Sequence, residues 1–147
     1  MIPFYALIGS FILFQSLGLL GIPIWNDWQE ALRYAVGVMF LLAASAHRGK
    51  RRPDLVAMVP PAFPNPGFIV TATGVLEMIG AIGLVIPKLS AIAAIGLTCM
   101  LVAMFPANVH AASRKLTIGG RPVPPLLQRT LLQAVFIAAA VLTIDVF

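Results

Sequence analysis

The sequence contains few charged residues for its length. Of its 147 residues, 10% are charged and 60% are apolar, whereas about 25% of the residues of an ordinary soluble domain are charged. So few charges cannot build a surface that faces water on all sides. The composition therefore excludes an ordinary soluble protein and predicts lipid as the solvent of most of the chain. We expect one integral membrane domain over residues 1–147, because this length suits a single domain.

The chain has one cysteine, Cys99, within an apolar segment. A disulfide framework within the chain and a Cys-x-x-Cys redox motif are thereby excluded. The spacing His-Glu-x-x-His is absent, as is a glycine-rich phosphate loop, so we predict no metal site and no bound cofactor. Haem ligation by His47 and His110 is a weaker alternative. No complete catalytic constellation is evident, and whether the chain is an enzyme stays open.

Long apolar runs dominate the sequence. A membrane-spanning helix needs about 20 residues at a rise of about 1.5 Å each. The first run has no basic segment before it and no small-x-small cleavage site, which favours a retained helix over a signal peptide. The fold class predicted is all-α, a polytopic membrane helical bundle of five spans: residues 2–25, 31–47, 68–86, 89–109 and 126–146.

A proline-rich stretch, "PDLVAMVPPAFPNPG", separates the second and third runs. Its prolines remove backbone donors and therefore forbid one continuous helix. The stretch is nevertheless apolar. We expect it to form a loop along the membrane interface or to fold back over the bundle.

The basic residues indicate the orientation. With five spans, one side holds most of them: Arg48, Lys50, Arg51, Arg52, Arg114, Lys115, Arg121 and Arg129. The other side holds only Arg33 and Lys88. The positive-inside rule then predicts a cytoplasmic (inner) membrane protein with a cytoplasmic N-terminus and an extracytoplasmic C-terminus. The basic runs would face anionic membrane lipid, and nucleic acid is not expected, because no soluble element could track phosphates.

Glu77 interrupts the third run, within "TGVLEMIGAIG". A charged residue at the centre of a span costs about 2.5–3.5 kcal/mol on insertion scales. Small residues lie one turn away on either side: Thr73, Gly74, Gly80 and Ala81. Because small residues allow another helix to approach closely, Glu77 should face the protein interior.

Further polar residues fall in the same, cytoplasmic half of the predicted bundle: His47, Asn108, His110, Arg129 and Gln133. With Glu77 they form our candidate ligand-binding or proton-relay site, because ionisable groups within spans are commonly functional. Glu77 lies deeper than the histidines, so a link through Asn108, Gln133 or water is favoured over direct contact. Structural roles remain alternatives: an inter-helix hydrogen bond for Glu77 and Asn108, capping for the histidines, and anchoring for Arg129.

Several stretches resemble the DoxX-like family of small bacterial membrane proteins, in order and over about three quarters of the chain: "LRYAVGVMFLLAASAH", "DLVAMVPPAFPNP", "TGVLEMIGAIGLVIP", "LVAMFPANVHAA" and "GGRPVPPLLQRTLLQAVFIA". The resemblance implies a helical membrane bundle, a recurrent glutamate at Glu77 and a histidine at His47. Two features differ from the family pattern. His47 is followed by a basic run and not by an aromatic residue, and an additional apolar run, residues 2–25, precedes the shared region.

The DoxX-like family is named after a membrane subunit linked to a thiosulfate–quinone oxidoreductase, and other members belong to oxidative-stress complexes. The resemblance therefore implies a membrane subunit of a quinone-linked redox system, which binds a quinone or lipid-like ligand near Glu77 and receives electrons from a protein partner. A non-enzymatic scaffold or assembly partner of another membrane protein is the first alternative. A small proton-coupled transporter or lipid-binding protein is the second. In each case we expect a protein partner or a homo-oligomer.

Overall fold

The structure, a computed structural model, describes residues 1–144, and within them it is mostly helical. The α-helices are α1 (Ile2–Leu19), α2 (Trp28–Ala46), α3 (Arg52–Met58), α4 (Pro66–Val85), α5 (Ser90–Ala103), α6 (Phe105–Ser113) and α7 (Leu126–Leu142). A short 3₁₀ helix covers Pro23–Trp25. Two antiparallel two-residue strands, β1 (Thr117–Ile118) and β2 (Arg121–Pro122), form a small hairpin between α6 and α7.

Four helices pack around a common core. Helix α2 contacts α4 and α7, α4 contacts α5, and α5 contacts α7, while α1 lies outside this group against α2. The core between them is made of apolar side chains such as Val36, Phe40, Leu84 and Leu97. Because α2 contacts α1 as well as α4 and α7, its faces determine which polar residues can meet.

The first apolar run, expected as one helix over residues 2–25, is shorter in the structure. Helix α1 ends at Leu19, and Gly21 then adopts a left-handed backbone with φ of 99°. The chain folds back so that a side chain on Gly18 would collide with the backbone of Trp25. The Trp25 ring packs on Phe14, with ring centroids 4.8 Å apart. This aromatic contact, which the apolar pattern alone does not predict, explains the early end of α1.

The fourth run, expected as a continuous span over residues 89–109, is divided at Met104 into α5 and α6. Pro106 stands in the first turn of α6, where its missing N–H is tolerated.

Helix α2 begins before the predicted residue 31, because the Asp27 carboxylate accepts a hydrogen bond from Gln29 N at 3.1 Å and caps the helix. The last two residues of the predicted span 126–146 lie outside the described residues.

Three helical segments are long and apolar enough to cross a membrane: Ile2–Leu19, Pro66–Val85 and the combined Ser90–Ser113. Helix α7 is apolar but has only 17 residues. Helix α2 carries Gln29, Glu30 and Arg33 in its first turns, which lowers its mean hydropathy. The structure is thus consistent with a membrane protein, and the five-span arrangement stays a prediction.

The proline-rich stretch forms α3 and then an irregular turn at residues 59–65 before α4 begins at Pro66. Helix α3 contacts α4, α6 and the hairpin. The Asp54 carboxylate accepts a hydrogen bond from Gly119 N at 2.8 Å. This bond joins the segment after α2 to the segment after α6, so both lie at one end of the bundle, which we call the basic end because Arg48–Arg52 and Arg114–Arg121 are there.

Candidate functional site

Glu77 and His47 meet between α4 and α2. Both are buried, with 3% and 6% of their surface exposed, so the prediction that Glu77 faces the protein interior is confirmed. His47 Nδ1 lies 3.4 Å from Glu77 Oε2 and 3.1 Å from the carbonyl oxygen of Ala43, one turn earlier in α2. Glu77 Oε2 itself makes no hydrogen bond within the described residues. A buried carboxylate oxygen without a hydrogen bond costs about 1–3 kcal/mol or more, so the site is poised to accept a proton or a ligand donor.

Gly74 makes this contact possible. It lies one turn before Glu77 on the same face of α4, and a β-carbon there would stand 2.6 Å from His47 Cβ and 2.8 Å from His47 Cγ. The imidazole therefore rests on the bare backbone of α4. The expected indirect link through Asn108, Gln133 or water is replaced by direct proximity of His47 and Glu77, because Gly74 lets α2 and α4 approach closely.

A second polar cluster lies between α5–α6 and α7. Asn108 Nδ2 donates to Gln133 Oε1 at 2.6 Å, and Gln133 Nε2 donates to the carbonyl oxygen of Leu101 at 2.6 Å. Arg129 Nη2 donates to Asn108 Oδ1. Leu101 lies in the last turn of α5, where the end of the helix leaves carbonyl oxygens without helical donors, so Gln133 supplies a donor to one of them.

The predicted site is thus two clusters. Within residues 1–144 the side-chain hydrogen bonds of Asn108, Gln133 and Arg129 all end on α5, α6 or α7, and none reaches Glu77 or His47. His110 is half-buried on α6, and its ring makes no hydrogen bond to a described residue. Of the six predicted site residues, Glu77 and His47 therefore lie together, and Asn108, Gln133 and Arg129 form the second cluster. His110 is bonded to neither cluster within the described residues.

An open groove of about 430 Å³ runs beside the second cluster. It is lined by Val102, Phe105, Pro106, Thr130, Gln133, Ala134 and Ile137. Its walls are mostly apolar, and Thr130 and Gln133 are the polar residues among them, a composition typical of sites for small ligands. Glu77 does not line this groove.

The described part of the chain contains no group of three His, Cys, Asp or Glu residues that could hold a metal ion.

Arg52 has a structural role that sequence reasoning missed. Its guanidinium donates to the carbonyl oxygens of His47 at 3.1 Å and Gly67 at 3.0 Å, and to Thr71 Oγ1 at 2.9 Å. It therefore ties the end of α2 to the first turns of α4, next to the Glu77–His47 pair. Within the basic run "HRGKRR" no spacing signal distinguishes Arg52 from the exposed Arg51.

The chain belongs to a family described as a domain of unknown function (DUF8561), whose model matches residues 36–144. The match covers α4, α5, α6 and α7 in full and most of α2, so both polar clusters fall within it. No curated protein and no solved structure matches the chain. The family match does not bear on the DoxX-like resemblance.

Proposed function

We propose that this member of the DUF8561 family is a five-span membrane protein, related to the DoxX-like proteins, that serves as the membrane subunit of a quinone-linked redox system. It binds a quinone or lipid-like ligand against its buried polar residues. It carries no redox cofactor of its own, so electrons reach the ligand from a protein partner.

The proposed spans are α1, α2, α4, the combined α5–α6 and α7, in the cytoplasmic membrane. Their alternating directions put the N-terminus and the two basic segments in the cytoplasm and the C-terminus outside. The hydrogen bond between Asp54 and Gly119 supports this arrangement, because it joins the two basic segments at one end. Positive charge concentrated at one end agrees with the positive-inside rule.

The observation that carries the ligand proposal is the unsatisfied Glu77 Oε2 beside His47 Nδ1. Reduction of a quinone requires protons as well as electrons. A buried carboxyl group within reach of an imidazole can take up a proton and pass it on by general acid–base chemistry. A protonated Glu77 can also donate a hydrogen bond to a quinone carbonyl, which would satisfy the oxygen that has no partner in the described structure.

The test is the thermal stability of the purified protein in detergent with and without a short-chain quinone. We expect the quinone to raise Tm, because a ligand that binds only the folded protein stabilises it. Glu77→Gln should abolish this rise. Glu30→Gln is the matched control, since Glu30 pairs with Arg33 at the other end of α2. No rise with any quinone, or an undiminished rise in Glu77→Gln, would contradict the proposal.

A further variant distinguishes where the ligand lies. Ala134 lines the groove between α5–α6 and α7, so Ala134→Phe should fill that groove without touching Glu77. If Ala134→Phe abolishes the quinone effect while Glu77→Gln leaves it intact, the ligand binds in the groove and Glu77 has no part in binding it.

The scaffold alternative is favoured by two exposed glycines, Gly9 on α1 and Gly96 on α5. A β-carbon at either position would meet nothing within 4 Å. Small residues on the surface of a spanning helix allow close approach of a partner helix. Crosslinking in native membranes, followed by purification, should then recover a stoichiometric partner that Gly9→Leu or Gly96→Leu reduces. Recovery of the chain alone would count against this alternative.

A further inference from the structure

A cleft opens at the basic end of the bundle, on the face of α2 that points away from α4. It has a volume of about 360 Å³ and lies between the start of α1 and the end of α2. Its apolar walls are Ile2, Pro3, Leu42, Ala43 and Ala46, and its rim is Gly49, Lys50 and Arg51. Ser45 also lines it, with its hydroxyl donating to the carbonyl oxygen of Leu42. The volume is at the lower end of the range of about 300–1,000 Å³ found for ligand sites.

The cations at the rim, Lys50 and Arg51, have no partner among the described residues. Within residues 1–144, neither Lys50 nor Arg51 makes a side-chain hydrogen bond or an ion pair. Their neighbour Arg52 differs, because three acceptors on α2 and α4 occupy its guanidinium. The one carboxylate described at this end, Asp54, accepts a hydrogen bond from Gly119 N. The rim is therefore positively charged and uncompensated.

Other cations reinforce this charge. Burial, together with the positive charges of Arg129, Arg51 and Arg121, lowers the pKa of the Met1 amino group. Three guanidinium groups from three separate segments thus act on the start of α1, where the cleft begins. An anion bound beside the start of α1 would be attracted by the same charges, of which Arg51 lines the cleft itself. Charges close to a low-dielectric wall interact more strongly than in water.

An apolar track continues from the cleft toward the middle of the bundle. Leu42 lines the cleft and is exposed, and Val38, one turn earlier on the same side of α2, is exposed as well. A phosphate group at the rim and a hydrocarbon chain along this track would meet complementary surfaces. A free phosphate ion would use the rim but leave the apolar walls uncovered.

We propose that the cleft between α1 and α2 is a binding site for one anionic phospholipid, whose phosphate lies at Lys50 and Arg51 and whose acyl chain follows Ala46, Leu42 and Val38. This site is distinct from the Glu77–His47 pair, which lies on the opposite face of α2. The lipid joins α1 to the four-helix core from the cytoplasmic leaflet.

Native mass spectrometry of the purified protein, with phosphatidylglycerol and phosphatidylcholine supplied in equal amounts, tests the proposal. We expect one retained phosphatidylglycerol and no comparable retention of phosphatidylcholine. The double variant Lys50→Gln, Arg51→Gln should weaken phosphatidylglycerol binding about 30-fold, since each basic residue near an anionic lipid contributes roughly a fivefold effect. The matched control Arg114→Gln, Lys115→Gln removes the same charge at the same end but outside the cleft, and should weaken binding by less than about fivefold.

A steric variant separates the cleft from general surface charge. Ala46→Phe fills the apolar wall without changing any charge, and it should weaken phosphatidylglycerol binding about as much as the double variant does. It also provides the test if the double variant fails to fold. Glycerol phosphate, which has the headgroup charge without a chain, should not compete at equal concentration.

Three results would overturn the proposal. The first is equal loss of binding in the Arg114, Lys115 control, which would indicate attraction to the whole basic end. The second is undiminished binding in Ala46→Phe. The third is competition by glycerol phosphate, which would make the rim a site for free phosphate. None of these results depends on quinone binding, so failure here and failure of the proposed function are distinguishable.

Discussion

The imidazole of His47 rests on the α-carbon of Gly74, so closely that a β-carbon at position 74 would stand 2.6 Å from His47 Cβ. This relationship fixes the distance between α2 and α4 at the level of the buried acid. Glu77 follows Gly74 by one turn, and its Oε2 lies 3.4 Å from His47 Nδ1. A residue without a side chain therefore sets the geometry of the two ionisable residues beside it.

Gly74→Ala should destabilise the protein by about 1–3 kcal/mol, the usual effect of adding atoms to a packed interface. The new methyl group must displace the His47 ring, which should also reduce any stabilisation by quinone. Gly9→Ala is the matched control, because a β-carbon there meets nothing within 4 Å, and alanine is the better helix former by about 1 kcal/mol. Thermal unfolding in detergent measures the stability of both variants. Equal behaviour of the two variants would show that the close contact is absent in solution.

Gln133→Leu should destabilise the protein by about 1–3 kcal/mol, because it leaves the partly buried Asn108 Nδ2 and Leu101 carbonyl oxygen without their partner. Gln128→Leu is the same change on the same helix, where the one hydrogen bond of the amide to a described residue goes to Met1 Sδ at 3.5 Å. The control should therefore change stability by less than about 0.5 kcal/mol. Denaturation of the two variants in parallel measures the stability of each. A larger loss of stability in Gln128→Leu than in Gln133→Leu would contradict the second cluster.

Arg52→Gln should loosen the segment between α3 and α4. The change removes donors to His47 O, Gly67 O and Thr71 Oγ1, so the turn at residues 59–65 should be cut faster by protease. Arg48→Gln is the control, since Arg48 is exposed and makes no side-chain bond to a described residue. If limited proteolysis proceeds at one rate in both variants, Arg52 does not anchor this segment.

Single cysteines test the five-span topology. Cys99→Ser provides the background, and Lys115→Cys and Lys88→Cys are then introduced separately. A membrane-impermeant maleimide should label position 88 from outside intact cells and position 115 only in inverted vesicles, because the proposed topology, based on the positive-inside rule, has Lys115 in the cytoplasm. Labelling of both positions from the same side would exclude an odd number of spans between them.

The buried position of Glu77 could be predicted from sequence because small residues at helical spacing surround it, and this spacing determines which face of a helix a neighbour can approach. Its partner could not be predicted in the same way. His47 ends a different helix, and the depth of a helix end relative to Glu77 depends on how far α2 and α4 slide past each other. Gly74 determines that approach, and its role becomes visible only when both helices are in place.

The apolar pattern predicted where helices lie better than where they end. The helix α1 was expected to continue to Trp25 because residues 20–25 are as apolar as those before them. The end at Leu19 follows from a tertiary contact, the packing of Trp25 on Phe14. The break at Met104 had a local signal in Pro106, yet the donor that stabilises it comes from Gln133 on another helix. The polar residues were expected as one cluster because they all fall in the same half of the predicted bundle. They form two clusters because Glu77 and His47 meet between α4 and α2, whereas Asn108, Gln133 and Arg129 meet between α6 and α7.

Arg33 has a consequence for the biosynthesis of the protein. It is 2% exposed in α2, pairs with Glu30, and donates through Nη2 to the carbonyl oxygen of Thr143 at 3.2 Å, just beyond the end of α7. The ribosome makes Arg33 more than a hundred residues before Thr143. In the proposed five-span arrangement the second helix would therefore reach the translocon before one of its acceptors has been synthesised. We expect α2 to remain at the translocon or the bilayer surface until α7 emerges, and the last helix to complete the insertion of the second.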